Sequence, residues 1–437
     1  MTRKQRQHCQ DITFELLDRT LRNYDDRSDS VDGHVGTPRH HANLDRSHWK
    51  QLKTQANASL YAERASRSWH DLNLSVGNAD KQCVLLAVGT IDGSLDEVMF
   101  GLETPDFATV KVRSETLANR PLDGAILAQL ASPTGADPFQ SMDITWMVGQ
   151  KSWPLNLVKH PRDFVLVSAT GVMTHTNGEF IGYEVVQSID LPQCPALPKP
   201  MVRGRRKYAA IYKQKEDGMV DAFIQMYVET QCLVFDKLAV TGLWESVLGF
   251  WNTPRLSEAK KLQWCMDNKF VSLEQQQSAG DGESKHCENC PTKRNPSSRR
   301  RSAHLSDHST CALCTAQICS SCRVKRTLKV PGEEGVKLLD LHVAVCLPCL
   351  TFVQEQDPAE IAWDNQMQRE ACNQSKTTKR RFSFSRECGL PTFSPLGSNR
   401  RYPSISVSDL IKLMNSLSDL GMNRASQTIR RKTVPLH

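Results

Sequence analysis

Eight of the chain's 15 cysteines fall into four Cys-x-x-Cys pairs: Cys287/Cys290, Cys311/Cys314, Cys319/Cys322 and Cys346/Cys349. A two-residue spacer lets two thiolates chelate one ion from a tight knuckle, and a closed tetrahedral zinc site needs two such knuckles. Eight thiols therefore make two four-thiolate sites. The second and third pairs are too close in sequence to share an ion without strain, so alternate pairs should combine. This assigns Cys287, Cys290, Cys319 and Cys322 to one zinc, and Cys311, Cys314, Cys346 and Cys349 to the other. A disulfide framework is the competing use of such cysteines, and nothing in the sequence points to secretion.

The run Cys311-Ala-Leu-Cys-Thr-Ala-Gln-Ile-Cys-Ser-Ser-Cys322, followed by Ala344-Val-Cys-Leu-Pro-Cys349, resembles the FYVE-type zinc finger, a cross-brace module. The resemblance implies two structural zinc ions over residues 286–352. It carries over poorly to the head-group pocket. Relatives that bind phosphatidylinositol 3-phosphate have a basic Arg-Arg/Lys-His-His run before the third cysteine, an Arg after it and an Arg in the last motif. This chain has Asp307, His308, Ser309 and Thr310 before Cys311, Ala312 after it, and Ala344 in the last motif. Trp264 to Asp267 matches the family's Trp-x-x-Asp element in letters, yet lies some twenty residues before Cys287.

These knuckles need a scaffold, and 437 residues leave room for two or three domains. A net charge of +7 is mild for this length and argues for no nucleic-acid partner. The amino terminus leads into no apolar core like that of a signal peptide, and no apolar run approaches the roughly 18 residues of a membrane span. The remaining cysteines, Cys9, Cys83, Cys194, Cys232, Cys265, Cys372 and Cys388, are isolated and suit a reducing compartment. The expected location is cytoplasmic, with peripheral attachment to endomembranes.

Residues 11–26 place Ile12, Leu16, Leu17 and Leu21 at helical spacing. Residues 25–48 read as a polar loop, in which His34, His40, His41 and His48 are solvated side chains. From residue 82 to about 268 the pattern is α+β. Cys83 to Val88 reads as a buried strand, and Ser94 with Glu97 as a capping box ahead of a helix that Pro105 ends. Strand patterns follow at 125–130, 144–148 and 164–167. Turn signals at Asn177-Gly178 and Asp217-Gly218 join further strands as hairpins. Val240, Leu243, Trp244, Val247, Leu248 and Trp251 then form a wide apolar helical stripe. Pro254 kinks or ends that helix, and a second piece runs from Leu256 to Met266.

The order of these elements resembles the START-like, helix-grip architecture, a curved antiparallel sheet closed by a long carboxy-terminal helix. Trp146-Met-Val, Pro161-Arg-Asp-Phe-Val, Gly178-Glu-Phe-Ile-Gly-Tyr-Glu and Val202-Arg-Gly add to the likeness. The resemblance implies a domain over residues 10–270 with an apolar tunnel for a lipid or sterol; Trp146, Trp244 and Trp251 would either line that cavity or fill a solid core. A linker over 271–285 leads to the finger. The sequence contains no nucleophile elbow, phosphate loop or His-Glu-x-x-His run, and Arg162-Asp163 is its best charged pair, so catalysis is not expected.

Between residues 285 and 350, eleven Lys or Arg stand against five Asp or Glu. Arg299, Arg300, Arg301 and His308 are the candidate contacts to an anionic membrane surface, where each basic residue is worth about 1 kcal/mol. After the finger, Asp357-Pro-Ala-Glu360 starts a helix over 357–372. The tail over 375–437 has the composition of a disordered segment, with Arg380-Arg-Phe-Ser383 resembling a basic-directed kinase site. Within it Leu410, Leu413, Met414 and Leu417 share one face of a short helix over 408–420, suited equally to docking on an unidentified protein partner or back on the START-like domain. The function expected is non-catalytic lipid binding or membrane-associated adaptor work. The alternative is a protein-interaction scaffold whose finger is structural and binds no phosphoinositide.

Overall fold

The computed structural model describes residues 1–29, 44, 47–55, 57–64, 82–118, 122–149, 162–199, 201–229, 237–274, 287, 290, 310–332 and 338–379. The His34, His40 and His41 loop, the basic residues Arg299 to Arg301 with His308, and the tail helix over 408–420 lie outside these residues.

The chain opens with helix α1 (Arg3–Asp29), longer at both ends than the apolar spacing of 11–26 suggests. Its inward face includes Cys9, Thr13 and Thr20, whose small size hides it from an apolar count. Both threonine hydroxyls donate back to the carbonyl four residues earlier, on Cys9 and Leu16, so they are satisfied inside the helix.

Strands β1 (Trp49–Gln55), β2 (Ala58–Glu63), β3 (Gln82–Asp92), β4 (Leu122–Ala131), β5 (Ser141–Gly149), β6 (Arg162–Thr174), β7 (Phe180–Ser188), β8 (Val202–Arg203), β9 (Lys207–Gln214) and β10 (Met219–Glu229) form one sheet. Its order is β1-β2-β3-β10-β9-β7-β6-β5-β4, antiparallel throughout, with β8 paired in parallel to the start of β6. The β6–β7 hairpin turns through Gly178 at φ 83°, and β9–β10 through Gly218 at φ 75°. Only glycine or asparagine adopts such angles readily, so the Asn-Gly and Asp-Gly signals sit where they were expected.

Alternation along the strands loads both faces of the sheet. Leu86 and Val88 pack with Leu16, Leu17 and Tyr24 of α1 on the outer face. Leu85 and Ala87 point the other way, into a core with helix α2 (Leu95–Leu102) and helix α4 (Lys237–Trp251). Helices α3 (Phe107–Ala118) and α5 (Thr253–Glu274) complete this inner layer. Pro254 stands in the first turn of α5, where a missing N–H costs nothing. A sheet gripped by its carboxy-terminal helices is the START-like, helix-grip class that the element order suggested.

The capping box at α2 is half formed. Ser94 Oγ accepts the Glu97 N–H at 3.2 Å, while the Glu97 carboxylate turns away to Lys261 of α5. Helices α2 and α5 pack so closely that a Cβ on Gly101 would lie 2.3 Å from the Thr253 carbonyl oxygen. Gly101→Ala should therefore destabilise by about 1–3 kcal/mol, as overpacking does. A wild-type urea midpoint for this variant would contradict that close approach.

Beyond the domain, β11 (Arg323–Pro331) and β12 (Leu338–Cys346) form a two-stranded antiparallel ribbon. Helices α6 (Leu347–Glu355) and α7 (Pro358–Lys379) follow. Asp357 starts α7, with Oδ1 accepting from Ala359 N at 2.7 Å and from Glu360 N at 3.4 Å. Among the described residues no helix is long and apolar enough to cross a membrane.

Candidate metal centres and an interior polar cluster

The eight cysteines gather as two sets. Cys287, Cys290, Cys319 and Cys322 form one and Cys311, Cys314, Cys346 and Cys349 the other, with all four sulfurs of a set within 4.8 Å of one another. Cys290 Sγ stands 3.6 Å from Cys319 Sγ, and Cys314 Sγ stands 3.7 Å from Cys346 Sγ. A tetrahedral ion with metal–sulfur bonds of about 2.3 Å separates its sulfurs by about 3.8 Å, so these spacings fit zinc.

Local backbone geometry explains how the knuckles form. After Cys314 the chain turns back at Thr315, whose φ of 58° is costly for a β-branched residue. Thr315 N donates to Cys311 O at 3.0 Å, and Cys311 N donates to Ala316 O at 2.9 Å. Backbone N–H groups turn towards the sulfurs: Cys346 N donates to Cys311 Sγ and Cys319 N to Cys287 Sγ, both at 3.4 Å. Burial pushes the Cys311 thiol up, but N–H groups of Cys314, Cys346 and Leu313 outweigh it and hold the thiol below its ordinary value. Burial and the neighbouring thiols push Cys349 up. A bound cation would lower all four thiols of the set, since coordinated thiols ionise.

The second set is embedded in an apolar cluster that mixes finger and START-like domain. Leu313, Ile318, Leu328, Val345 and Val353 share it with Leu262 and Cys265 of α5. Ala312 and Ala344 belong to the same cluster, Ala344 being buried. A charged side chain at 344 would have to be buried beside apolar neighbours. Trp264, the letter match of the displaced Trp-x-x-Asp, packs against both this cluster and the inner core of the sheet. Polar contacts reinforce the junction: Arg326 bonds Glu258 at 2.6 Å, and Lys329 pairs with Glu115 at 3.8 Å.

The aromatic residues that the tunnel reading grouped together divide between the faces of the sheet. Trp244 and Trp251 lie on the inner side. Trp146 lies on the other face with Ile144, Val165 and Cys9, its Nε1 donating to Asp163 at 3.1 Å. The period of β5 decides this, because Trp146 shares parity with Ile144. Asp163 is fully buried and takes Arg203 as its partner at 2.9 Å, not its neighbour Arg162. The pair is structural.

The inner face carries a polar cluster that no sequence pattern signals. Asp143, Ser168 and Val186 are cross-strand neighbours, as are Thr170, Glu184 and Ala210. Glu184, 2% exposed, pairs with Arg113 of α3 at 2.8 Å. Among the described residues its Oε2 has no hydrogen-bond partner, nor has the hydroxyl of Tyr212, which is 0% exposed. Asp143 is 6% exposed with Oδ1 unpartnered, and burial pushes its carboxyl up to about 7. Between the ordinary carboxyl value and about 7 the folded chain holds a proton that the unfolded chain has released, so stability falls as pH rises through that window. From pH 5 to pH 8 the loss should be on the order of 2 kcal/mol, and Asp143→Asn should abolish it. Urea midpoints of both proteins at the two pH values would show it, and equal pH dependence would contradict it.

In comparisons with known proteins, no family model and no curated protein matches this chain. Among solved structures it is similar to human StAR-related lipid transfer protein 5, at 14% identity and a TM-score of 0.36, over 58% of this chain and 97% of that one. It is also similar to the STAR-related lipid transfer protein from Xanthomonas axonopodis, at 13% identity and a TM-score of 0.31, over 48% of this chain and 99% of that one.

Proposed function

We propose that this chain is a non-catalytic, zinc-binding lipid-binding protein or membrane-associated adaptor. The START-like domain would take a lipid between the sheet and its covering helices, and the finger would hold two zinc ions in a FYVE-like cross-brace. One observation carries the lipid reading: the inner face, beside its apolar cluster, buries polar atoms of Asp143, Glu184 and Tyr212 that no group among the described residues satisfies. Natural cores rarely leave such atoms unpaired without a use. The eight-sulfur geometry supports the zinc.

The finger's own part in this reading is structural. Its second cysteine set shares an apolar cluster with α5, and β11 spends Arg326 on Glu258 and Lys329 on Asp340 and Glu115. Attraction to an anionic surface would then come from Arg299, Arg300, Arg301 and His308. Native mass spectrometry of the purified protein tests both main parts at once. Two zinc ions and a co-purified lipid are expected; an apo mass equal to the bare chain would sink the reading. Co-sedimentation with anionic vesicles, weakened by changing Arg299 to Arg301 to Ala, would locate the membrane contact.

A further inference from the structure

Helix α2 is short and wide in its apolar surface, with Leu95, Val98, Met99, Phe100, Gly101 and Leu102 all buried. Such a helix needs cover on several sides at once. The sheet covers one side, where a Cβ on Gly182 of β7 would lie 2.5 Å from Met99 Sδ, and α5 covers a second at Gly101. A third side is covered by α7, which follows the finger in the chain. Ile361 and Ala362 of α7 are buried in the same cluster as α2, Tyr212 of β9, Trp244 of α4 and Phe139 of the β4–β5 connection. The Trp363 ring reaches that connection too, where a Cβ on Gly135 would meet its Cζ2 at 3.9 Å. Arg369 then pairs with Glu103, just past the end of α2, at 3.4 Å.

This seat is slight. Only the first three turns of α7 use it, and Met367 and Cys372 are already exposed. Burial, and then the charge of Asp357 at the start of α7, push the Asp96 carboxyl of α2 up, so like charges meet across the contact. What fixes α7 is the segment in front of it. Cys346 is the N-cap residue of α6, Cys349 stands in its first turn, and Leu350 and Val353 pack in the finger's cluster. Gln356 and Asp357 alone separate α6 from α7, and Lys261 of α5 holds the carbonyls of Gln354 and Gln356. The finger therefore places α6, and α6 places α7.

We propose that α7 is a displaceable strap over the inner core of the START-like domain, held in place by the zinc-loaded finger, so that loss of the metal uncovers α2 and opens the space behind it. This rests on the zinc and lipid readings above and adds that zinc occupancy governs access to the lipid space.

Hydrogen exchange on the full-length, zinc-loaded chain, before and after addition of a strong chelator, reads the strap without any lipid. Amides of Ala362 to Arg369 and of Val98 to Leu102 should exchange at least about tenfold faster after chelation, while those of β3 and β10 keep their protection. Ala362→Glu puts a charge into a buried contact of the strap and leaves all eight cysteines in place. It should free α2 to the same extent with both zinc ions still bound. Ile361→Ala is the milder variant, with a smaller effect in the same direction, for the case that Ala362→Glu does not fold. Protection of α7 unchanged by the chelator overturns the control by zinc, and protection of α2 unchanged in both variants overturns the strap. Transfer of a fluorescent sterol and of pyrene-labelled phosphatidylcholine between phosphatidylcholine vesicles reads the opening. One probe or both should move at least about threefold faster with a variant than with wild type. Equal transfer by wild type and by a variant whose α2 has lost protection overturns the opening. Transfer by none of the proteins, with exchange as expected, overturns the lipid reading and leaves the zinc-held strap standing.

Discussion

Chelating the metal is expected to unfold residues 311–350 and leave the ten-stranded sheet folded. The finger has little else to hold it. Among the described residues its regular structure is one two-stranded ribbon and a nine-residue helix, and three of the residues in its apolar cluster, Cys311, Cys346 and Cys349, are themselves cysteines of the second set. Isolated two-stranded ribbons are marginal in water. A structural zinc site contributes about 10–16 kcal/mol of apparent binding free energy, which is comparable to or larger than the whole stability of a typical domain. Without ions, eight thiols would crowd into two pockets where several are pushed towards the neutral form, and little would favour their convergence. Hydrogen exchange with and without a strong chelator measures the effect. Amides of β11 and β12 should lose protection while those of β3 and β10 keep it, and Cys311→Ser should reproduce the result in the presence of zinc. Unchanged protection of β11 and β12 in the chelated protein would show that packing alone holds the finger.

The finger and the hairpins were legible because their chemistry forces residue types on the chain. Chelation by a short knuckle demands Cys-x-x-Cys, and a tight hairpin demands a residue such as Gly178 or Gly218 at positive φ. Helix α3 was illegible for the opposite reason. Its inward side carries Lys111 and Arg113, with Arg113 paired to Glu184 and Lys111 to Asp123, so no apolar stripe marks it. Asp106, whose Oδ1 accepts the Thr109 N–H at 2.8 Å just after Pro105, was the one signal that a second helix begins there. The inner polar cluster escaped in the same way. Glu184 alternates with apolar neighbours in β7 and reads as solvent-facing, because periodicity cannot tell which face of a strand is wet when both are covered. Strands β1 and β2 were hidden by the polar sequence of β1, an edge strand where lysines discourage further pairing.

Lys261→Met is expected to cost about 3–5 kcal/mol, the range found when one member of a buried ion pair is removed. Helix α5 links the two parts of the molecule: Trp264 touches the sheet's inner core, and Leu262 and Cys265 belong to the finger's cluster. Lys261 stands between them, 1% exposed, with its ammonium shared between α2 and the end of α6. It pairs with Glu97 of α2 and donates to the carbonyls of Gln354, at 2.8 Å, and Gln356, at 3.2 Å. Those carbonyls lie at the carboxy-terminal end of α6, where helix oxygens lack partners and a cation suits the dipole. Methionine fills a similar volume but leaves the Glu97 carboxylate and both oxygens without their donor. The consequence should reach beyond stability. With the shared ammonium gone, finger and sheet lose their common polar anchor, and one cooperative melting transition should split into two. Lys325→Met, at an exposed position on β11, should stay within about 0.5 kcal/mol of wild type and serves as the control. Calorimetry of zinc-loaded protein distinguishes the outcomes. A single transition at the wild-type temperature in Lys261→Met would mean that the apolar cluster around Leu262 and Cys265 joins the two parts without help from the buried charge.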